Sequence, residues 1–373
     1  MEHSPSLVKE VVRDQDAVFA NRDVSIAANI ASYGGNDIGW SKPNSQWRNM
    51  RKIFIQEMMV SNKSLETSYN LRKDEVRKTI IDLVHTKKGK PIEIGELSFR
   101  TELNVILNML WGGIIGVEEG ERIGAEFRVL ISKIIDLFGK PNISDFYPGL
   151  AGLDIQGVKK QMENYMQSMD NIFNAVIALH KHKLSGGVKK RRKERLSPNP
   201  VRATGEKGFR AWGTDTTATT VEWAMAKLMN NPEVMAKAQK ELSDVVGLNN
   251  MIEESHMPDL KYLEAVIKET LHLHPTLPLL VPRSPAQSST IGGYTIPKNS
   301  RVIINIWSIQ RDPSIWDNSN EFRPERFMDD NGKLDFGGNN FHYLRLDAGE
   351  RYVLACLAAE RMLVYIGFSF AFF

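Results

Sequence analysis

Long runs of helical period, cut by glycine and proline, dominate the first half of the chain and constrain its fold more than any other feature. LETSYNLRKDEVRKTIIDLVH, TELNVILNML, EFRVLISKIIDLF and KKQMENYMQSMDNIFNAVIALH each repeat apolar residues at the spacing of one helix face, and GKPN and YPGLAG break them. Ahead of these, Leu7, Val8, Val11 and Val12 share a stripe after Ser4 and Pro5, which predicts a helix of about two turns. A second helix is expected from Ser45, with Trp47 and Arg51 four apart on one face.

The second half keeps the pattern. GTDTTATTVEWAMAKLM reads as a helix closed by NNP, and Pro232 opens PEVMAKAQKELSDVVG, where Val234, Ala238, Leu242 and Val245 form one face before Gly247. In PDLKYLEAVIKETLHLHP, Leu260, Leu263, Ile267 and Leu271 make a core stripe that Pro275 ends, and Glu269 and His272 share a face. STIGGYTIP predicts a hairpin turning on Gly292 and Gly293, and RVIINIW reads as a β-branched strand. The fold class expected is mainly α with a small β-sheet.

Lys181 to Phe209 interrupts this rhythm: it is basic, carries Pro198 and Pro200, and lacks apolar periodicity, so it reads as a loop. KKRRKER within it is either a solvated stretch or a polyanion-binding patch, the first being the commoner use of such a run. Over the whole chain Lys plus Arg exceed Asp plus Glu by only 48 to 45, a net charge of +3, which gives no electrostatic ground for nucleic-acid or membrane binding. One cysteine, Cys356, cannot form an internal disulfide, and no signal peptide or long apolar run is visible, so the expectation is an intracellular, non-spanning chain.

Six separated stretches fall in one order: WRNMR, GTDTT with VEWAM, KETLHLHP, VPR, FRPERF, and FHYL followed by GER and AERM. Together they resemble the haem-thiolate monooxygenases of the cytochrome P450 superfamily, and KPNISDFYPGLAGLDIQGVKKQM resembles the plant branch of geraniol and other terpenoid hydroxylases. The resemblance covers nearly all of the chain apart from the basic segment. It implies a single domain over 1–373 with haem b as cofactor, and electrons from an NADPH-dependent flavoprotein reductase. One oxygen atom would enter a small apolar, terpenoid-like substrate. It implies a monomer with no nucleic-acid partner, and residence at the endoplasmic reticulum membrane. No anchor is seen in this chain, which would otherwise be cytoplasmic.

Carried over by position, Trp47, Arg51, Arg283 and Arg351 would contact haem propionates, because arginine offers a fixed fork of donors to a carboxylate. Asp215 and Thr216 would relay protons to iron-bound dioxygen, although Thr and Asp near a helix start also serve as caps. Glu269, His272 and Arg326 match the cluster that holds the segment before the ligand loop.

The chain also departs from the family. Between Tyr343-Leu344 and Ala359-Glu360-Arg361-Met362, ungapped alignment sets Val353 in the column of the axial cysteine. Cys356 lies three residues on, about 4.5 Å along a helix, and is either a displaced ligand or a small buried hydrophobe. His272 stands where the family has arginine, and a largely neutral imidazole cannot make a two-pronged bond to Glu269. Trp212 replaces a small residue where dioxygen needs room, and Leu346, Asp347 and Ala355 replace Phe, Gly and Gly. The fold expected is therefore incomplete at both ends, without the family's first sheet segment or last strands. A haem-free pseudoenzyme or helical binding module stays open beside the monooxygenase.

Overall fold

The computed structural model describes residues 4–54, 62–86, 90–111, 117–185, 214–247, 250–328, 341–344, 362 and 365. They form two compact units, one of residues 1–21, 65–102 and 212–373, the other of 22–64 and 103–211. Both are mostly helical. Among the described residues, no helix is long and apolar enough to cross a membrane.

In the first unit, helix Pro5–Lys9 starts on the Ser4 hydroxyl and runs on as a π-turn, Glu10–Asp14, burying Val8, Val11 and Val12. They join Phe19, Leu280, Ile304, Ile306, Ile309 and Leu344 in one apolar core. The expected hairpin is present, Ser289–Ile291 pairing antiparallel with Tyr294–Ile296, with Ile291 opposite Tyr294. Gly292 and Gly293 take φ of +54° and +83°, the left-handed pair that a tight two-residue hairpin turn requires. The hairpin is tied to the N-terminal helices by Gln15, which donates to Thr290 O at 2.8 Å, and by Glu10, which accepts from Gly292 N at 2.9 Å.

RVIINIW is not the strand its β-branched residues suggest. Only Val302 pairs, in an isolated antiparallel bridge to Arg283, and Ile306–Ile309 is a short helix. The Asn305 side chain accepts from Ser308 N at 3.0 Å, so a cap at the end of the apolar run overrides local strand preference.

Helix Lys261–Leu273 carries Glu269 and His272, and the turn Pro324–Phe327 carries Arg326. Thr214–Asn230 and Pro232–Val245 both pack on Lys261–Leu273. On Pro232–Val245 the buried face is Val234, Ala238 and Leu242, as expected, but Val246 rather than Val245 completes it. The Glu241 carboxylate accepts from Tyr262 N at 2.7 Å and Leu263 N at 2.9 Å, so a neighbouring helix supplies the cap that Leu260 cannot. Leu260, Leu263, Ile267 and Leu271 are buried as the stripe predicts. Elsewhere in this unit the Arg72 guanidinium forks onto Glu254, Nε at 2.6 Å and Nη2 at 2.9 Å, fastening helix Asn62–Thr86 to the turn Glu254–Asp259.

The second unit is built on helices Val117–Gly139 and Val158–Ser185, with the short helix Ile26–Ala31 packed against both. Ala27, Ala28 and Ala31 let that helix approach closely, and Ile134, Met162 and Met169 are fully buried. Phe127 meets Phe173 edge-on at 6.0 Å. Val158–Ser185 runs five residues into the segment expected to be a loop, because no breaker precedes Gly186 and Gly187. The remainder of that segment, including KKRRKER, lies outside the described residues.

Candidate functional site

Glu269 is the centre of the best-defined polar cluster, and its side chain is 0 % exposed. Its Oε1 accepts from Arg323 N at 2.9 Å and from Arg326 Nε at 3.1 Å, and Oε2 lies 3.1 Å from the same Nε. Arg326 also donates to three main-chain carbonyls: Asp317 O at 2.8 Å, Asn318 O and Glu321 O both at 3.2 Å. One guanidinium thus fixes an irregular loop to a buried helix, a geometry for which arginine's planar fork is suited.

His272 is also fully buried, one turn along the same helix, and its Nδ1 lies 3.2 Å from Glu269 Oε2. The ring is not aligned for a hydrogen bond there, and among the described residues neither Nδ1 nor Nε2 has another partner. An i, i+3 imidazole reaches the carboxylate's distance without reaching its direction. Aromatic rings enclose it instead: Trp316 at 4.2 Å and Phe327 at 6.3 Å, with Tyr343 5.2 Å from Phe327. Tyr343 anchors this wall by donating to Lys268 O at 3.1 Å, whereas the buried Trp316 Nε1 has no hydrogen-bond partner among the described residues. Sequence reasoning did not single out Trp316 or Tyr343. The first sits in a loop with no periodicity, and the second was legible only as part of the FHYL anchor.

The next residue with a defined perturbation is His274, which caps this helix and stacks on Trp223 with centroids 3.8 Å apart and rings 6° from parallel. Burial, aided by the charges of Lys227 and Arg311, pushes its imidazole down to about 4, so it is neutral at pH 7.

Trp47 lies on helix Ser45–Ile53, which Asn44 caps by accepting from Trp47 N at 2.8 Å. The indole is 2 % exposed and its Nε1 donates to Ile38 O at 2.9 Å. Arg51 sits over the ring, 5.3 Å from its centroid. Arg283 is in the other unit, 1 % exposed, with Nη1 donating to Asp16 Oδ1 at 3.0 Å and its backbone bridged to Val302. Asp215 and Thr216 open helix Thr214–Asn230; Thr216 is half-buried and its carbonyl accepts from Thr220 Oγ1 at 2.8 Å. The Asp215 side chain and the whole of Arg351, Val353 and Cys356 lie outside the described residues. The structure therefore brings Glu269, His272 and Arg326 together, and places Trp47 beside Arg51.

Comparison with known proteins gives these positions a context. The profile of the family described as Cytochrome P450 matches residues 1–352. The chain belongs to the cytochrome P450 family. It is 35 % identical over 382 residues to geranylhydroquinone 3''-hydroxylase of Arnebia euchroma, covering 96 % of this chain and 75 % of that protein. Geraniol 8-hydroxylase of Catharanthus roseus is 33 % identical, with 93 % of this chain and 72 % of that protein covered. A zebra fish cytochrome P450 solved with progesterone shares the fold at a TM-score of 0.71 and 22 % identity, over 98 % of this chain and 84 % of that one.

Haem is the cofactor of the cytochrome P450 family, held through an axial cysteine thiolate and buried in protein. Two of the residues matched to its carboxylates, Trp47 and Arg283, already hold protein partners. Tryptophan has a single N–H donor, and that of Trp47 is spent on Ile38 O. Arg283 donates through Nη1 to Asp16, which uses one of the five N–H donors of its guanidinium. In the axial column the sequence supplies Val353, which has no lone pair to give.

Proposed function

We propose that this chain is a haem-free member of the terpenoid-hydroxylase branch of the cytochrome P450 family, a helical scaffold that no longer performs oxygen insertion. The ancestral activity is that of the branch, insertion of one oxygen atom from dioxygen into a small apolar, terpenoid-like substrate with electrons from a flavoprotein reductase. The names of the relatives support that lineage, as geranylhydroquinone, geraniol and ferruginol are all terpenoid compounds.

The observation that carries the haem-free reading is the Trp47 indole, whose one donor is committed to Ile38 O. Val353 in the axial column and the replacement of arginine by His272 beside Glu269 point the same way. In this reading Asp215 and Thr216 serve as helix-start residues and Arg326 retains its folding role. Cys356 is a small hydrophobe, and Arg351 has no propionate to meet.

The test is to purify the full chain from cells supplied with a haem precursor. Haem per chain is then measured, together with the spectrum of the reduced, carbon-monoxide-treated sample. The expected result is far less than stoichiometric haem and no thiolate-type Soret band, both for the natural chain and for Val353→Cys. Stoichiometric haem with a thiolate-type band in the natural chain overturns the proposal and makes Cys356 the ligand.

A further inference from the structure

An open groove of about 670 Å³ runs between helices Val117–Gly139 and Val158–Ser185, wholly within the second unit. Its size falls in the range of small-molecule sites. The floor is apolar: Ile123 and Leu130 are 2 % and 8 % exposed, and Ile172 faces them from the other helix. The two ends differ in charge. At one, Arg122 and Glu126 pair at 2.9 Å and cancel. At the other, Lys133 stands with its ammonium 5.9 Å over the Tyr165 ring, and among the described residues it makes no ion pair. Eleven residues separate Arg122 from Lys133, so the apolar track is roughly 16 Å long at the rise of an α-helix.

We propose that this groove binds a single-chain carboxylate, its acyl tail along Ile123, Leu130 and Ile172 and its head at Lys133. An apolar trough with one cation at a single end matches an amphiphile with one anionic end. A second helix in the same trough would leave Lys133 to find a carboxylate at one position only, and nothing in the groove specifies such a partner. The tail supplies affinity through buried apolar area, while the head sets orientation. The site uses none of the residues matched to the family's haem or oxygen chemistry, so it is independent of whether haem is held.

The test is calorimetric titration of the full chain with dodecanoate below its micelle concentration, beside dodecanol and dodecyltrimethylammonium. Saturable binding of dodecanoate, and weaker binding of the other two, is expected. Lys133→Gln should weaken dodecanoate about two- to fivefold, the range of an exposed ion pair, and leave dodecanol unchanged. Ala175→Trp fills the groove from the second helix, and Ala125→Trp fills it from the first. Both positions are exposed, so circular dichroism should show an unchanged fold while binding is lost. No saturable binding by the natural chain overturns the site. So does binding that survives both tryptophan variants. Equal affinity for dodecanoate and dodecanol, unchanged in Lys133→Gln, overturns the carboxylate assignment.

Discussion

Arg326→Met tests the polar cluster around Glu269. The substitution keeps an unbranched side chain of similar reach but removes the charge that faces Glu269, whose side chain is 0 % exposed, and Arg326 itself is 7 % exposed. Four hydrogen bonds go with it, one to Glu269 and three to the carbonyls of Asp317, Asn318 and Glu321. What remains for the carboxylate is Arg323 N at 2.9 Å and a misaligned His272 ring at 3.2 Å. Breaking a buried ion pair by removing one partner costs ~3 to 5 kcal/mol, mostly because the other charge is stranded. The loss should therefore lie in that range for Arg326→Met. It should be smaller for the double variant Glu269→Gln with Arg326→Met, where no charge is left behind. Urea unfolding of the full chain gives the global value. Hydrogen exchange over residues 317–327 reports the loop itself and should rise before the helix Lys261–Leu273 opens. A loss below about 1 kcal/mol with unchanged exchange over that loop would refute the reasoning, since a surface pair costs no more than that.

Three further outcomes are expected. His272→Arg supplies aligned donors to Glu269 Oε2 and should stabilise the chain by ~1 to 2 kcal/mol in the same urea assay; a destabilised variant would show that Trp316 and Phe327 leave no room for a guanidinium. The His274 imidazole is held down to about 4 in the folded chain, so between pH 4 and its ordinary value near 6.5 the unfolded chain binds the extra proton. Stability due to this group is complete above about 6.5 and falls as pH drops to about 4, by ~1 to 2 kcal/mol after allowing for its partial exposure, and His274→Phe should remove that slope from a pH series of urea midpoints. At the hairpin, Gly292 has φ +54° and an added Cβ would come 2.5 Å from Leu7 Cδ2, so Gly292→Ala should cost ~1 to 2 kcal/mol; Asn suits the left-handed region better, and Gly292→Asn should cost less in the same measurement.

The helices were legible because their apolar residues recur at one period and their ends carry Pro, Gly or Asn. Leu260, Leu263, Ile267 and Leu271 are buried where the spacing put them. Phase is less legible than type: Val246, just past the helix end, lies on the buried face in place of Val245. RVIINIW misled because its β-branched residues outweighed Asn305 within it, which caps a short helix. In the cluster, Glu269 and Arg326 could be paired from the family motif, across a separation of 57 residues. The Trp316 wall around His272 had no such signal, since a loop residue has no face until the loop is folded. The same holds for Ile38, whose carbonyl occupies the Trp47 indole and comes from an irregular stretch between helices.

The three carbonyls gathered by Arg326 bear on how the chain is made. Residues 261–273 leave the ribosome before 317–326, so the clasp on Glu269 closes only once the later loop has emerged. A nascent chain halted before Arg326 therefore carries Glu269 without its charged partner, and the apolar face of that helix without the turn that covers it.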